Sequence, residues 1–263
     1  MFNKSDMEMV KNWCRETGKY QMENFEREIS VSSKSEKIDL VSEVDKKSEN
    51  MLVEKINKAF PGHAILAEEG SGKDESSPFL WVVDPLDGTV NYVNGLPIFS
   101  ISMAFFEGDR AEAAVVYLPV SDTFYTARRG ESSYRDGNKL AVSGENDLSA
   151  SIVGTGFPYD HQDENRDVLE YFSRVLPRVG GIRRLGSAVY DLCLVAEGTL
   201  EAFWEVRLNP WDVAAGALIV REAGGKVTDF SGDKVSLSGQ EVLAGSEALH
   251  GELLKLLSRD LAE

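Results

Sequence analysis

Cysteine and histidine are scarce: the 263 residues include two of the first and three of the second. Cys14 and Cys193 lie far apart, without the spacing that a cysteine-built metal site or a disulfide framework needs. Both sit in apolar-patterned stretches and read as buried free thiols. His63, His161 and His250 share no ligand-like spacing and read as structural or exposed residues. No apolar run approaches the ~18 residues of a membrane-spanning helix. The opening residues, MFNKSDMEMVKNWCRE, lack an apolar signal core and a small-residue cleavage site, so a cytoplasmic protein with no membrane partner is expected. Positive charge is also short. Lys and Arg number 28 against 44 Asp and Glu, a formal net charge of −16. That balance argues against nucleic acid as a partner, because little would neutralise an extended phosphate backbone. An acidic chain can still handle a small phosphate when divalent cations stand between the charges.

The chain that remains is ordinary in apolar content and long enough for one large domain or two packed halves. Met9, Val10, Trp13, Cys14 and Thr17 fall at helical spacing within 6–27. A polar stretch at 30–37 (SVSSKSEK), which includes Lys34, reads as a mobile loop. Ser42 reads as an N-cap for a second helix, with Val44, Ser48, Met51, Leu52 and Ile56 on one face and Pro61-Gly62 beyond its end. Short apolar runs at 64–67 and 79–83 read as strands, ending at Glu68 and Asp84. Residues 99–105 alternate large and small, a period-two strand pattern continued at 115–117. Hairpin signals follow at Arg129-Gly130 and Asp136-Gly137-Asn138. The later residues read as a strand at 151–155, helices at 165–176 and 187–197, a strand at 200–205, a helix from Pro210 to Ala223 and a strand from Val227. The expectation is an α+β protein of two halves, 1–145 and 146–263, with antiparallel-looking strands in the first.

Four carboxylates close apolar runs or open a helix: Glu68, Asp84, Asp87 and Asp212. A carboxylate just beyond a buried strand is rigidly held yet can point into a cleft. In Asp84-Pro85-Leu86-Asp87-Gly88-Thr89, proline stiffens the strand exit and glycine permits a sharp turn, so a turn could bring both aspartates to one centre. Hard cations such as Mg²⁺ take oxygen ligands of this kind, with substrate phosphate completing the shell. The residues after Gly88 read as the opening of a helix, whose N–H groups suit a phosphate.

These segments resemble the inositol monophosphatase family. Residues 81–92 (WVVDPLDGTVNY) are similar to its first signature and 211–225 (WDVAAGALIVREAGG) to its second. Residues 39–45 (DLVSEVD), 67–70 (AEEG), 184–188 (RLGSA) and 203–205 (FWE) match in order between and around them, so the likeness covers nearly the whole chain. The resemblance implies a layered αβαβα sandwich and a lithium-sensitive, Mg²⁺-dependent phosphatase with two or three cations per site, Mn²⁺ being a possible substitute. It assigns Glu68, Asp84 and the Leu86 carbonyl to one cation, and Asp84, Asp87 and Asp212 to a second. A weaker third takes Glu68, with Asp45 acting through water. Thr89 would orient the attacking water and act as a relay, with Glu68 positioning that water and taking its proton. The Gly88 and Thr89 amides, Asp87 and Asp212 would meet the phosphate, and Ala188 and Glu205 the substrate hydroxyls. The implied reaction is in-line hydrolysis of a small polyol or sugar phosphate, myo-inositol 1-phosphate first. Fructose 1,6-bisphosphate and histidinol phosphate are alternatives, and 3′-phosphoadenosine 5′-phosphate fits least. A regulatory partner of transcription or RNA processing is the alternative of another class. A homodimer is expected by resemblance alone. Arg183-Arg184 reads as an ion-pair element, and Phe203 and Trp204 as core.

Overall fold

The computed structural model describes residues 2–25, 31–33, 40–70, 77–157, 166–235, 237 and 241–258, with backbone alone at 31–33, 40–42 and 166–167. Lys34, Asp39 and His161 lie outside the described residues. Helix α1 (Lys4–Asn24) starts at a reciprocal cap: Asn3 Oδ1 accepts from the Ser5 and Asp6 amides, and Asp6 accepts from the Asn3 amide. Its buried face carries Met7, Val10, Trp13, Cys14, Thr17, Gly18 and Gln21. Gly18 lets the helix approach the sheet, since a Cβ there would stand 2.5 Å from Tyr117 Cε1. Two short strands, β1 (Val31–Ser33) and β2 (Leu40–Ser42), pair antiparallel where a loop is expected from the polar composition. Helix α2 (Glu43–Ala59) follows directly after Ser42.

Seven strands then form the larger sheet: β3 (Ala64–Ala67), β4 (Phe79–Asp87), β5 (Ser100–Glu107), β6 (Arg110–Leu118), β7 (Thr123–Arg128), β8 (Ser133–Arg135) and β9 (Asn138–Lys139), paired in chain order. All of these pairings are antiparallel except β3 with β4, which is parallel. The smaller sheet has the order β11-β10-β12-β14-β13, from β10 (Ile152–Thr155), β11 (Gly181–Arg183), β12 (Ala202–Glu205), β13 (Lys226–Thr228) and β14 (Val242–Gly245). Helix α3 (Thr89–Val93) is a short turn beside β4. Helices α4 (Arg166–Val175), α5 (Ala188–Ala196), α6 (Pro210–Glu222) and α7 (Glu247–Leu257) complete the chain.

The packing is layered as the family resemblance implies. Helices α1 and α2 cover the outer face of the larger sheet around Trp81, Met103 and Val115. Helices α5 and α6 fill the space between the sheets, and α4 and α7 cover the far face of the smaller one around Trp204, Leu243 and Leu253. Each such side chain taken fully out of water contributes roughly 1.5–3 kcal/mol before the entropy cost of ordering is counted. Helices α5 and α6 touch at Gly216, where a Cβ would lie 2.6 Å from Leu192 Cδ1. Strands β4 and β5, covered by helices on both faces, are apolar or small apart from Asp84, Asp87 and the terminal Glu107, and Phe203 and Trp204 are fully buried core residues. Cys14 and Cys193 are free and buried.

Candidate active site

Two aspartates three residues apart on a regular strand face opposite sides of the sheet. In β4 they do not, because Asp84 pairs with Ser102 and Asp87 with Ser100, leaving two residues of β4 opposite one of β5. The extra residue is a bulge over Pro85-Leu86, where proline has no amide to give to the ladder. The two carboxylates therefore meet through a bulge within a strand, not through a turn at its end. Gly88, at φ 95°, then turns the chain into α3, and a Cβ there would stand 2.9 Å from the Ile98 carbonyl. Asp212 arrives from the first turn of α6, its Oδ2 accepting from the Asn209 amide at 2.7 Å. One carboxylate oxygen from each of Asp84, Asp87 and Asp212 lies within 4.8 Å of the others.

Asp87 is the best anchored of the three. Its Oδ2 accepts from the Val189 amide at 3.0 Å, from Ser100 Oγ at 3.2 Å and, closer still, from Ser187 Oγ. Ser187 is the N-cap of α5, so one side chain ties the larger sheet to the helix layer between the sheets. Asp84 Oδ1 accepts from the Leu86 amide at 2.9 Å. The Thr89 hydroxyl lies 3.0 Å from both Asp45 Oδ2 and the Leu86 carbonyl oxygen. Beneath them Gln21, fully buried, donates through Nε2 to the Pro85 carbonyl at 2.7 Å and to Ser48 Oγ at 3.2 Å. Tyr92 Oη donates to the Gln21 carbonyl at 2.6 Å, which closes the support under the bulge.

Crowding of like charge shows in the proton affinities. Burial first, then the charge of Glu68, holds Asp84 well above the usual carboxylate range. Burial raises Asp87 to about 6 although Ser187, Val189 and Ser100 pull it down. Burial and Asp87 raise Asp212 to about 7. Glu68 reaches about 9 through burial and then the charges of Asp45 and Asp212. Glu205, at the end of β12, reaches about 8 through burial, Asp212 and Asp87, with Arg184 opposing. Asp191 in α5 is raised by burial and by Glu205. An all-oxygen set that holds its protons this tightly is one that a hard divalent cation would discharge, so the residues fit such an ion. Glu68 stands beside the close triad of Asp84, Asp87 and Asp212 without being part of it.

The other expected residues fall as follows. Asp45 and Ala188 are buried, and Thr89 and Glu205 are half-buried. Arg184 is exposed, and its charge acts on Glu205 and Asp191, so it belongs to the site's field. His63 accepts from Trp81 Nε1 at 3.2 Å among aromatic rings. His250 Nε2 lies 2.8 Å from Thr228 Oγ1 in the core, and burial lowers its pKa to about 4. Neither shares the acidic cluster. Sequence reasoning missed Gln21, Ser100, Ser187 and Asp191. The alternating serines of β5 were the one available signal, because small polar residues on a buried face invite a partner.

The pattern that defines the inositol monophosphatase family matches residues 4–262. The Nus factor SuhB of Pseudomonas aeruginosa is 42% identical, over 94% of this chain and 94% of its own. The inositol-1-monophosphatase of Mesorhizobium japonicum is 39% identical over 85% of each chain. The solved structure of the extragenic suppressor protein SuhB of Bartonella henselae superposes with a TM-score of 0.92 at 33% identity, covering 98% of this chain and 100% of that one. With a layered sandwich around a buried acidic centre, the chain is of the metal-dependent phosphatase type. It belongs to the inositol monophosphatase family.

Proposed function

We propose that this protein hydrolyses a small polyol or sugar phosphate monoester, myo-inositol 1-phosphate first among them, with Mg²⁺ as the working cation and Mn²⁺ as a substitute. The convergence of Asp84, Asp87 and Asp212 within 4.8 Å carries the reading. These three would hold one cation. Glu68, Asp84 and the Leu86 carbonyl would hold another, and Glu68 with Asp45, through water, a weaker third. Bound divalent cations supply Lewis-acid polarisation of the phosphoryl oxygens and offset the charge that gathers there in the transition state.

The chain's own groups do the rest. The amides of Gly88 and Thr89 at the start of α3 receive a phosphoryl oxygen. The Thr89 hydroxyl donates to Asp45 Oδ2, which leaves its lone pairs to orient a water. As that water attacks phosphorus and the ester P–O bond breaks, its proton passes to Thr89 and the hydroxyl proton to Asp45, and the leaving alkoxide takes a proton from solvent. Glu68 lies in the same acidic field and would help to position the water. The Ala188 backbone and the Glu205 carboxylate receive substrate hydroxyls.

Phosphate release from a panel of phosphomonoesters, including fructose 1,6-bisphosphate and histidinol phosphate, with Mg²⁺, with Mn²⁺ and with added lithium, tests this. Release that needs a divalent cation and is greatest with the inositol ester is expected. No release from any ester with either cation would sink the reading. A second reading, a regulatory partner of transcription or RNA processing, draws support from the Nus factor relative. Capture of the same partners by wild type and Asp84→Asn would favour it, since such a role uses the surface and not the acidic centre.

A further inference from the structure

Strands β10 and β12 run parallel, with Gly154 beside Phe203 and Thr155 beside Trp204. One residue further along each strand stand Gly156 and Glu205. A Cβ on Gly156 would sit 2.0 Å from Glu205 Oε1, 2.1 Å from its Cδ and 2.2 Å from Oε2. Atoms cannot approach so closely, so the Glu205 carboxylate occupies the space that any other side chain at 156 would take. The backbone does not demand this glycine, because its φ is not in the left-handed region. The three atoms nearest to such a Cβ all belong to the Glu205 carboxylate. Two residues back along β10, a Cβ on Gly154 would stand 3.0 Å from both Asp191 Oδ1 and Leu200 Cδ1. That oxygen is buried and has no hydrogen-bond partner among the described residues. Gly154 is thus closed in by apolar as well as acidic neighbours, whereas the nearest atoms at Gly156 are those of a carboxylate. The charges that act on Glu205 are Asp212, Asp87 and Arg184.

We infer that Gly156 is a specificity-determining position. By leaving room for the Glu205 carboxylate, it seats that group where a substrate hydroxyl donates to it, and so favours polyhydroxylated phosphate esters over esters that lack hydroxyls. Gly156 is a positioning residue that acts through Glu205, and the inference rests on the phosphatase reading above. The collision that alanine brings is with the far end of a flexible side chain. Gly156→Ala therefore swings the carboxylate off its seat by side-chain rotation and leaves the strands in place.

The test compares kcat/KM for myo-inositol 1-phosphate and phenyl phosphate in wild type, Gly156→Ala, Glu205→Ala and the double variant, with melting curves for each. The inositol-to-phenyl ratio is expected to fall about ten-fold in Gly156→Ala, the scale of one hydrogen bond to a charged group. The double variant is expected to be no worse than Glu205→Ala, because with the carboxylate gone the glycine has nothing further to position. An unchanged ratio, equal losses on both esters, or losses that add in the double variant would overturn the inference. So would a Gly156→Ala chain that does not fold, which would assign the glycine to packing. A wild-type protein inactive on both esters would instead refute the phosphatase reading, and the inference with it.

Discussion

Removing a charge from the acidic centre should destroy activity and strengthen the cation-free fold. Asp84→Asn is the cleanest case. The amide keeps the shape of the side chain and its acceptor for the Leu86 amide, which bonds Oδ1 at 2.9 Å. In the wild type, Asp84 is buried among Glu68, Asp87, Asp212 and Asp45, and its folded pKa lies well above the 3.8 of a free group. An acid whose pKa is raised by folding binds more protons folded than unfolded, so it lowers stability as pH rises. The loss begins near the unfolded value and grows by up to about 1.4 kcal/mol per pH unit until the folded pKa is reached. Asp87 gives the scale. Its rise from 3.8 to about 6, against three opposing hydrogen bonds, corresponds to about 3 kcal/mol. Neighbouring carboxylates share protons, which places the gain from Asp84→Asn at about 1–3 kcal/mol near pH 8, vanishing below about pH 4. Urea unfolding in chelator at a series of pH values measures it. Added Mg²⁺ should reverse the order, stabilising wild type by mass action and the variant far less. A variant less stable than wild type at pH 8 in chelator would refute the account of mutually repelling acids.

The remaining predictions concern groups around the centre. Thr89→Val, nearly isosteric, should lower kcat by about a hundred-fold through loss of the proton path to Asp45, while melting curves and Mg²⁺ binding by calorimetry stay close to wild type; full activity would remove Thr89 from the mechanism. Gln21→Leu takes the donor from the Pro85 carbonyl and should cost about 1–3 kcal/mol, a fall in Tm of a few degrees. It should also weaken Mg²⁺ binding by calorimetry, because the bulge that aims both aspartates loses its support; unchanged affinity would confine Gln21 to stability. In the cation-free wild type, Glu68, Asp212 and Glu205, raised to about 9, 7 and 8, predict a Tm that falls between about pH 5 and pH 9; a Tm that rises across that range would contradict the assigned shifts.

Much of this site is written in local patterns. The run closed by a carboxylate at Glu68, the helix opened by Pro210 and stopped at Gly224, and the hairpin at Arg129-Gly130 all stand where composition and spacing place them, whereas β4 runs on past Asp84 to Asp87. What is not local is not legible. Asp84 and Asp87 share a face because of a bulge whose register depends on β5, and no rule of sequence spacing counts residues on a partner strand. The parallel pairing of β3 with β4 belongs to the same class, since each strand alone reads the same either way. Gln21 reads as one more polar residue on an amphipathic helix, and its role appears only once α1 lies under Pro85. Strand β14 and helix α7 could have been found, because Ser246 caps a run in which Leu249, Leu253 and Leu257 recur every fourth residue.

The close approach of α5 and α6 at Gly216 has a consequence for the acidic centre. The start of α5 grips Asp87 through Ser187 and Val189, and the start of α6 carries Asp212. The two helices meet like the arms of a caliper where a Cβ on Gly216 would stand 2.6 Å from Leu192 Cδ1. A methyl group has no room at that contact, so it should push the arms apart, and the two carboxylates with them, from the core between the sheets and without touching an acid.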